Sequence, residues 1–319
     1  MTAMLQYLII LLDKASTSFC HYKASSSSPS LMPLNVLRQG IRFGMMENLM
    51  IQYVYPDYEL PDEYSDVIES IDHSKIKSLP QPLPNEGRMD ADVWVTGSIK
   101  DIKTDVPVVW RTDKQSLFNS EADLIKALQN MPRLNVVLTD IESFTDEDFE
   151  KYKQLLSALA KHIEKLYVEG KAPQLNLLTD RMMLSKMNNC RAGDTTITLA
   201  PNGKFYVCPA FYYEDETDCI GDLEHGLDIK NKQLYKLESA PICRHCDAYQ
   251  CKRCIWLNRK TTLEVNTPSH EQCVLAHLER NASRELLAGI RKHGTFLPEQ
   301  KDINEIDYLD PFDKRNEWQ

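Results

Sequence analysis

Eight of the chain's nine cysteines fall between Cys190 and Cys273, and four of them form one tight run: Cys243-Arg-His-Cys246-Asp-Ala-Tyr-Gln-Cys251-Lys-Arg-Cys254. The spacing is C-x2-C-x4-C-x2-C. Cys190, Cys208 and Cys219 precede the run, and Cys273 follows it after 18 residues. Thiolates are soft ligands, and four can hold one zinc ion or one cubane iron–sulfur cluster. In a reducing compartment, clustering of this kind points to metal ligation or redox chemistry, not to a disulfide framework.

Zinc sites made from two C-x2-C pairs separate the pairs by roughly 15–20 residues, so that two knuckles face one ion. Only four residues intervene here. Closely packed cysteine runs are more like those of ferredoxins, where the last cysteine of a run ligates a different cluster. The thiols also exceed what one site can use. Iron–sulfur is therefore the favoured reading, with zinc as the alternative.

Elements must position these thiols. Strands are expected at Leu5–Leu12, Ile51–Tyr55, Lys75–Leu79, Ala91–Thr96, Val106–Trp110, Leu134–Thr139 and Leu175–Leu178, from short apolar runs. Helices are expected at Leu34–Leu49 and Tyr64–Ile71, and from a cap at Asn119 or Ser120 to Gln129. Thr145 and Asp148 read as a capping box that opens a long helix ending at Gly170. A further helix is expected over Val274–Lys292. Strands alternating with helices imply βαβ units and parallel pairing: an α/β class, either a partial (β/α) barrel or a doubly wound sheet. Helical periodicity fades near residue 185. The expected organisation is an α/β domain over 1–185, a cysteine-rich domain over 186–292 and a polar tail over 293–319. Ser25–Ser30 reads as a loop, the prolines at 80, 82 and 84 as an extended connection, and Met4 as an alternative start.

Length and composition are those of a globular chain: 319 residues, 42% hydrophobic, 26% charged, formal net charge -10. No Lys/Arg cluster forms the basic face that a nucleic acid would need. No apolar run approaches the ~20 residues of a membrane span. The run at Leu5–Leu12 lacks a positive n-region and a cleavage site, and Phe19 stands where a lipoprotein signal before Cys20 needs a small residue. A cytoplasmic location is expected. No nucleophile motif, phosphate loop or dinucleotide fingerprint is present. Trp94, Trp110 and Trp256 read as core. His245, His270 and His277 read as neighbours of ligands or as exposed, and the pairs Asp90/Asp92 and Asp146/Asp148 as solvated or capping groups.

The order of the cysteines resembles the SPASM domain at the C-terminus of many radical SAM enzymes that modify ribosomally made peptides. That resemblance covers roughly 188–292. It rests on Cys190, then Gly203-Lys-Phe-Tyr-Val-Cys208, then the run from Cys243 to Cys254, then Cys273, with Pro201-Asn202-Gly203 as a turn before Cys208-Pro209 and Ile220-Gly221-Asp222-Leu223 downstream. The family run is usually C-x2-C-x5-C-x3-C, so each later spacing here is one residue shorter. The resemblance implies one auxiliary 4Fe-4S cluster on Cys243, Cys246, Cys251 and Cys273. A second would lie on Cys190, Cys208 and Cys254, with Cys219 as a candidate fourth ligand or one iron left open to water or a substrate thiolate.

A radical SAM enzyme carries three more cysteines, usually C-x3-C-x2-C, after its first strand. This chain has only Cys20, in Phe19-Cys20-His21-Tyr22, and the next cysteine is Cys190. S-adenosylmethionine cleavage by that route is therefore in doubt. Cys20 and His21 are either loop residues or a remnant of the cofactor pocket. The whole chain resembles the CXXX repeat peptide maturase family, through Leu5-Gln-Tyr-Leu-Ile-Ile-Leu-Leu-Asp13, Cys20-His21-Tyr22 and Tyr53-Val-Tyr-Pro-Asp-Tyr-Glu-Leu-Pro61. That implies a degenerate radical SAM-like fold and maturation of a precursor peptide with cysteines at every fourth residue. The clusters would then serve electron transfer or substrate thiolate binding, with a reductant protein as a further partner; the alternatives are a non-catalytic module that presents the peptide to a separate radical SAM enzyme, and a zinc-stabilised interaction domain.

Overall fold

Why does the chain start on a strand? Leu8, Ile10, Leu11 and Leu12 are fully buried and Ile9 nearly so. A strand apolar on both faces belongs inside a parallel sheet covered by helices, not in an alternating half-exposed one. The computed structural model describes residues 5–24, 28–80 and 90–303. Met4, residues 25–27 of the Ser25–Ser30 loop, Pro82, Pro84 and the tail beyond residue 303 lie outside the described residues.

In chain order the regular elements are β1 (Tyr7–Leu11), α1 (Leu34–Met46), β2 (Met50–Val54), α2 (Asp62–Ile68), β3 (His73–Ser78) and β4 (Val93–Thr96). Next come β5 (Val108–Thr112), α3 (Lys114–Phe118), α4 (Glu121–Ala127), β6 (Arg133–Leu138), α5 (Asp146–Val168), β7 (Gln174–Leu175) and α6 (Thr179–Met183). They are followed by β8 (Thr196–Leu199), β9 (Phe205–Tyr206), α7 (Pro209–Glu214), β10 (Gly221–Asp222), β11 (Gly226–Leu227), α8 (Ile255–Thr262) and α9 (His270–Arg291). These form two compact units, each made of two chain segments: Met1–Thr96 with Cys190–Ala240, and Gly97–Asn189 with Pro241–Gln319. The stretch 186–292, expected from sequence as one cysteine-rich domain, is shared between them.

In the first unit the strand order is β4-β3-β2-β1-β8-β9. β1 pairs in parallel with both β2 and β8, so that Ile9 stands opposite Gln52 on one side and Thr198 on the other. Of these six strands β9 runs antiparallel, returning from β8 through the turn at Pro201-Asn202-Gly203; β10 and β11 form a separate antiparallel pair. Gly203 has φ +78, a conformation that glycine adopts without strain. α1 lies close on this sheet. A Cβ at Gly44 would stand 2.7 Å from Ile51 Cδ1, and one at Gly40 would collide with Leu199. Four residues apart, the two glycines share one helix face and let the backbone approach the strands.

In the second unit β5, β6 and β7 are parallel. β7 is shorter than the expected Leu175–Leu178. Asn176 takes over the ladder with its side chain, accepting from Val136 N at 2.8 Å and donating to Val136 O at 2.9 Å. The chain then turns into α6. Helix α5 is set by the Thr145–Asp148 capping box. Its buried residues Phe149, Tyr152, Leu156, Leu159, Ile163 and Leu166 recur at three- and four-residue spacing, the stripe of an amphipathic helix. α5 and α9 pack together, and Tyr152 Oη donates to Glu279 Oε1 at 2.8 Å. The start of the polar tail is held: Arg291 donates from Nη2 to Leu297 O and Gln300 O, and Gln300 donates to Leu184 O.

In neither unit do the described strands close on themselves. The α/β class with parallel strands is what the structure has. Among the described residues no helix is long and apolar enough to cross a membrane.

Candidate metal centre

The two units divide the cysteines. Cys243, Cys246, Cys251, Cys254 and Cys273 belong to the second; Cys20, Cys190, Cys208 and Cys219 belong to the first. None of the nine forms a disulfide.

In the second unit the run is shaped by short-range bonds. Cys243–His245 is a 3-10 turn that closes with Cys246 N donating to Cys243 O. Ala248 N then donates to Cys246 Sγ at 3.4 Å, and Arg253 N donates to Cys251 Sγ at 3.4 Å. Each thiol thus accepts from the amide two residues downstream, a contact that favours its thiolate form. Arg253 sits at φ +44 and, almost fully buried, donates from Nη1 to Asn266 Oδ1 at 2.8 Å, which fixes the bend between Cys251 and Cys254. Cys254 is the N-cap of α8. Cys273 lies in the first turns of α9, a helix begun by Ser269 Oγ accepting from Gln272 N. One turn further along that face, His277 Nε2 is 3.6 Å from Cys246 Sγ. Gln250 Nε2 ties the run to the same helix through Ala276 O at 2.7 Å and Glu279 Oε2 at 3.2 Å.

Beyond the effect of burial, two of these thiols are raised by charge on a neighbouring thiol, Cys251 by Cys243 and Cys246 and Cys243 by Cys246. Burial pushes Cys251 up to about 12, and the charges of Cys243 and Cys246 push the same way. Burial pushes Cys243 up to about 11, Arg253 draws it down, and Cys246 raises it. Cys246 is raised by burial and drawn down by the amide of Ala248 and by Arg280 and Arg181. Glu279 is pushed up to about 7 by burial, against its bonds to Tyr152 and Gln250. Left alone, such thiols stay protonated at neutral pH; a thiophilic cation would displace the protons.

Does a cysteine-ligated group fit? The chemistry of the donor set does: soft thiols, one buried and two half-buried, with amides already aimed at two of the sulfurs. Arg280 Nε, buried beside them, has no hydrogen-bond partner among the described residues. Among the described residues, however, no three His, Cys, Asp or Glu side chains stand together in metal-binding geometry. The thiols are gathered but not closed into a ligand set.

The first unit places its cysteines otherwise. Cys208 caps α7 with Pro209 at the first helical position, and Cys190 is exposed. Cys20 follows β1 in the loop before Tyr22. Tyr22 is buried, stacks on Tyr213 at 5.4 Å, and has its phenol raised first by burial and then by Cys20, with Cys208 a smaller contributor. The two thiols therefore share one neighbourhood. Cys219 is felt instead by Tyr206. The set of Cys190, Cys208 and Cys254 implied by resemblance draws on both units.

The sequence reading missed Asp13. It is fully buried at the end of β1, accepting from Ala15 N at 2.6 Å and from Tyr58 Oη at 2.7 Å. An acid closing an apolar strand run was the available signal. Tyr58 also lines a cavity of about 740 Å³ with Tyr55, Lys77 and Trp94, where β2, β3 and β4 end. Trp94 and Trp110 are core, but Trp256 is only half-buried, with Lys260 Nζ 5.4 Å from its ring centre. Asp148 caps α5 and pairs with Lys114; Asp90 pairs with Lys75 and Lys77. His245 is exposed, and His270 packs edge-on against Phe149.

No protein-family model matches the chain, and no curated protein matches its sequence. Solved structures do match its fold. Polyhistidine-tagged anSMEcpe with bound AdoMet is 10% identical with a TM-score of 0.61, covering 90% of this chain and 99% of that one. Native anSMEcpe with bound AdoMet and Cp18Cys peptide is 11% identical at 0.59, with the same coverage. The form with bound AdoMet and Kp18Cys peptide is 11% identical at 0.56, again over 90% and 99%. The chain shares the fold of anSMEcpe over nine-tenths of its length.

Proposed function

We propose that this chain is a radical SAM-like peptide maturase of the CXXX repeat type, acting on a cysteine-repeat precursor peptide. Its Cys243, Cys246, Cys251 and Cys273 would hold a 4Fe-4S cluster. The observation that carries the reading is the group of thiols at Cys243, which is buried, and Cys246 and Cys251, which are half-buried, the last two already met by backbone amides. The fold supports it, because anSMEcpe is similar over nearly its whole length and was solved with AdoMet and with Cys-bearing peptides. Cys190, Cys208 and Cys254, with Cys219 as a fourth candidate, would serve a second cluster. When bound, such a group supplies electron transfer or an iron site for a substrate thiolate. The chain's own residues do the positioning. Gln250 pins the run to α9, Arg253 holds its bend, and Ala248 N and Arg253 N point at sulfur.

A second reading follows from Cys20 being the lone cysteine between β1 and Cys190: a peptide-binding partner of a separate radical SAM enzyme. Anaerobic purification with metal and sulfide analysis comes first. Iron with acid-labile sulfide supports the cluster; stoichiometric zinc without iron replaces it with a zinc-stabilised domain. The protein is then incubated with precursor peptide, reductant and S-adenosylmethionine and followed by mass spectrometry. A mass shift identifies a maturase. Binding with no shift leaves the partner reading.

A further inference from the structure

A cavity of about 550 Å³ lies in the first unit where β3 and β4 begin, beside Glu69, the residue that ends α2. His73 lines it. Its side chain is 6% exposed, and its Nδ1 stands 2.8 Å from Ile71 O. A carbonyl only accepts, so Nδ1 carries the proton and Nε2 of the neutral ring is left with a lone pair. That Nε2 is buried and has no hydrogen-bond partner among the described residues. Glu69 Oε1, at 4.0 Å, is beyond hydrogen-bond reach. The ring meets that of Tyr53 edge-on, with centroids 5.2 Å apart, and the Oη of fully buried Tyr53 also has no partner among the described residues.

The rest of the lining is acidic: Glu69, Asp72, Asp90 and Asp92 stand against Lys75. Lys75 Nζ is held between Glu69 Oε1 at 2.6 Å and Asp90 Oδ1 at 2.7 Å, and Lys77 Nζ reaches Asp90 Oδ2 at 3.1 Å. Asp92 Oδ2 accepts from Lys75 N at 2.7 Å. With the imidazole neutral, these carboxylates outnumber the two ammonium groups, and the cavity carries surplus negative charge. A buried acceptor left without a donor is costly, and folded chains rarely keep one unmet. A metal ion fits poorly. Among the described residues no three His, Cys, Asp or Glu side chains stand in metal-binding geometry, and the Lys75 ammonium already lies between two of the carboxylates. A water would meet the lone pair and leave the charge. What satisfies both is an N–H donor that is itself positive.

We infer that this cavity binds an organic cation, an ammonium or guanidinium group that donates to His73 Nε2 and is balanced by Glu69, Asp72 and Asp90. The inference stands apart from the cluster reading, because no cysteine is among the described residues that line the cavity. An ammonium offers three donors and a guanidinium five in one plane, so either can meet the imidazole and a carboxylate together. The same chemistry is carried by a free amine and by a Lys or Arg side chain of a peptide.

The test titrates the full chain with agmatine, putrescine and N-acetylarginine amide by isothermal titration calorimetry, with inorganic phosphate as the anionic control. His73 Nε2 is followed in long-range proton–nitrogen NMR spectra. The expected result is saturable binding of at least one cation at millimolar concentrations, with the Nε2 resonance moving at the same midpoint. His73→Phe keeps a ring against Tyr53 and removes the lone pair, and is expected to weaken binding about tenfold or more. Asp72→Asn, at an exposed position, is expected to weaken it severalfold and to reduce its dependence on salt. Binding of N-acetylarginine amide points to a peptide side chain as the source, and binding of agmatine or putrescine alone points to a free amine; either supports the inference. No binding of any of the three cations, binding that leaves Nε2 unmoved, binding unchanged in His73→Phe, or phosphate moving Nε2 in their place overturns it. If His73→Phe does not fold, the Nε2 shift in the wild type together with Asp72→Asn decides: both effects support the inference, and the absence of either overturns it.

Discussion

Replacing Glu279 with Gln in the reduced, metal-free protein is expected to stabilise it, but only above acidic pH. The carboxyl is shared by Tyr152 Oη and Gln250 Nε2, and burial raises it from 4.5 to about 7. A raised folded-state value means that the native protein holds a proton which the unfolded chain has released between those two pH values. Its contribution is therefore complete below about 4.5 and is lost as pH rises through about 7. At 1.36 kcal/mol per unit, the loss is on the order of 3 kcal/mol at high pH. Glutamine keeps an oxygen for the tyrosine and never ionises. Urea unfolding followed by circular dichroism at several pH values is the assay. The difference between Glu279→Gln and wild type should grow from near zero at pH 4.5 toward about 3 kcal/mol by pH 8. A difference that is flat across this range, or that grows toward acid, refutes the reasoning.

Thr145→Ala removes one half of the capping box that opens α5 and is expected to cost about 1 kcal/mol, measured as a lower urea midpoint with unchanged slope. Asp13→Ala strands the Tyr58 hydroxyl and the Ala15 amide around a fully buried position, so a loss of about 1–3 kcal/mol is expected by the same assay. Cys251→Ala should lower iron and sulfide per chain after anaerobic reconstitution. Cys219→Ala, in the other unit, should leave the EPR signal of the Cys243-centred group as it is in the wild type.

Much of the fold was legible because its signals are local. The apolar run of β1 reads as a doubly covered strand, and Thr145–Asp148 marks the start of α5 without any tertiary help. The early end of β7 was not legible, because it depends on the Asn176 side chain completing a ladder with Val136, a pairing across 40 positions. α8 escaped because its N-cap is Cys254 and its first turn carries no acid. Of the candidate site, spacing showed which residue types could bind a thiophilic group. What it could not show was the company they keep. Arg181, Arg280 and Glu279 come from α6 and α9, and no local pattern announces that they will surround Cys246 and Cys251.

The most direct measurement is the iron and acid-labile sulfide content of the protein expressed and purified without oxygen, with Mössbauer spectra of an iron-57 sample. A coloured protein whose spectrum is that of a cubane cluster, lost on substituting Cys243 or Cys246, is the predicted result. A colourless protein that is well folded and binds neither iron nor sulfide would contradict the account.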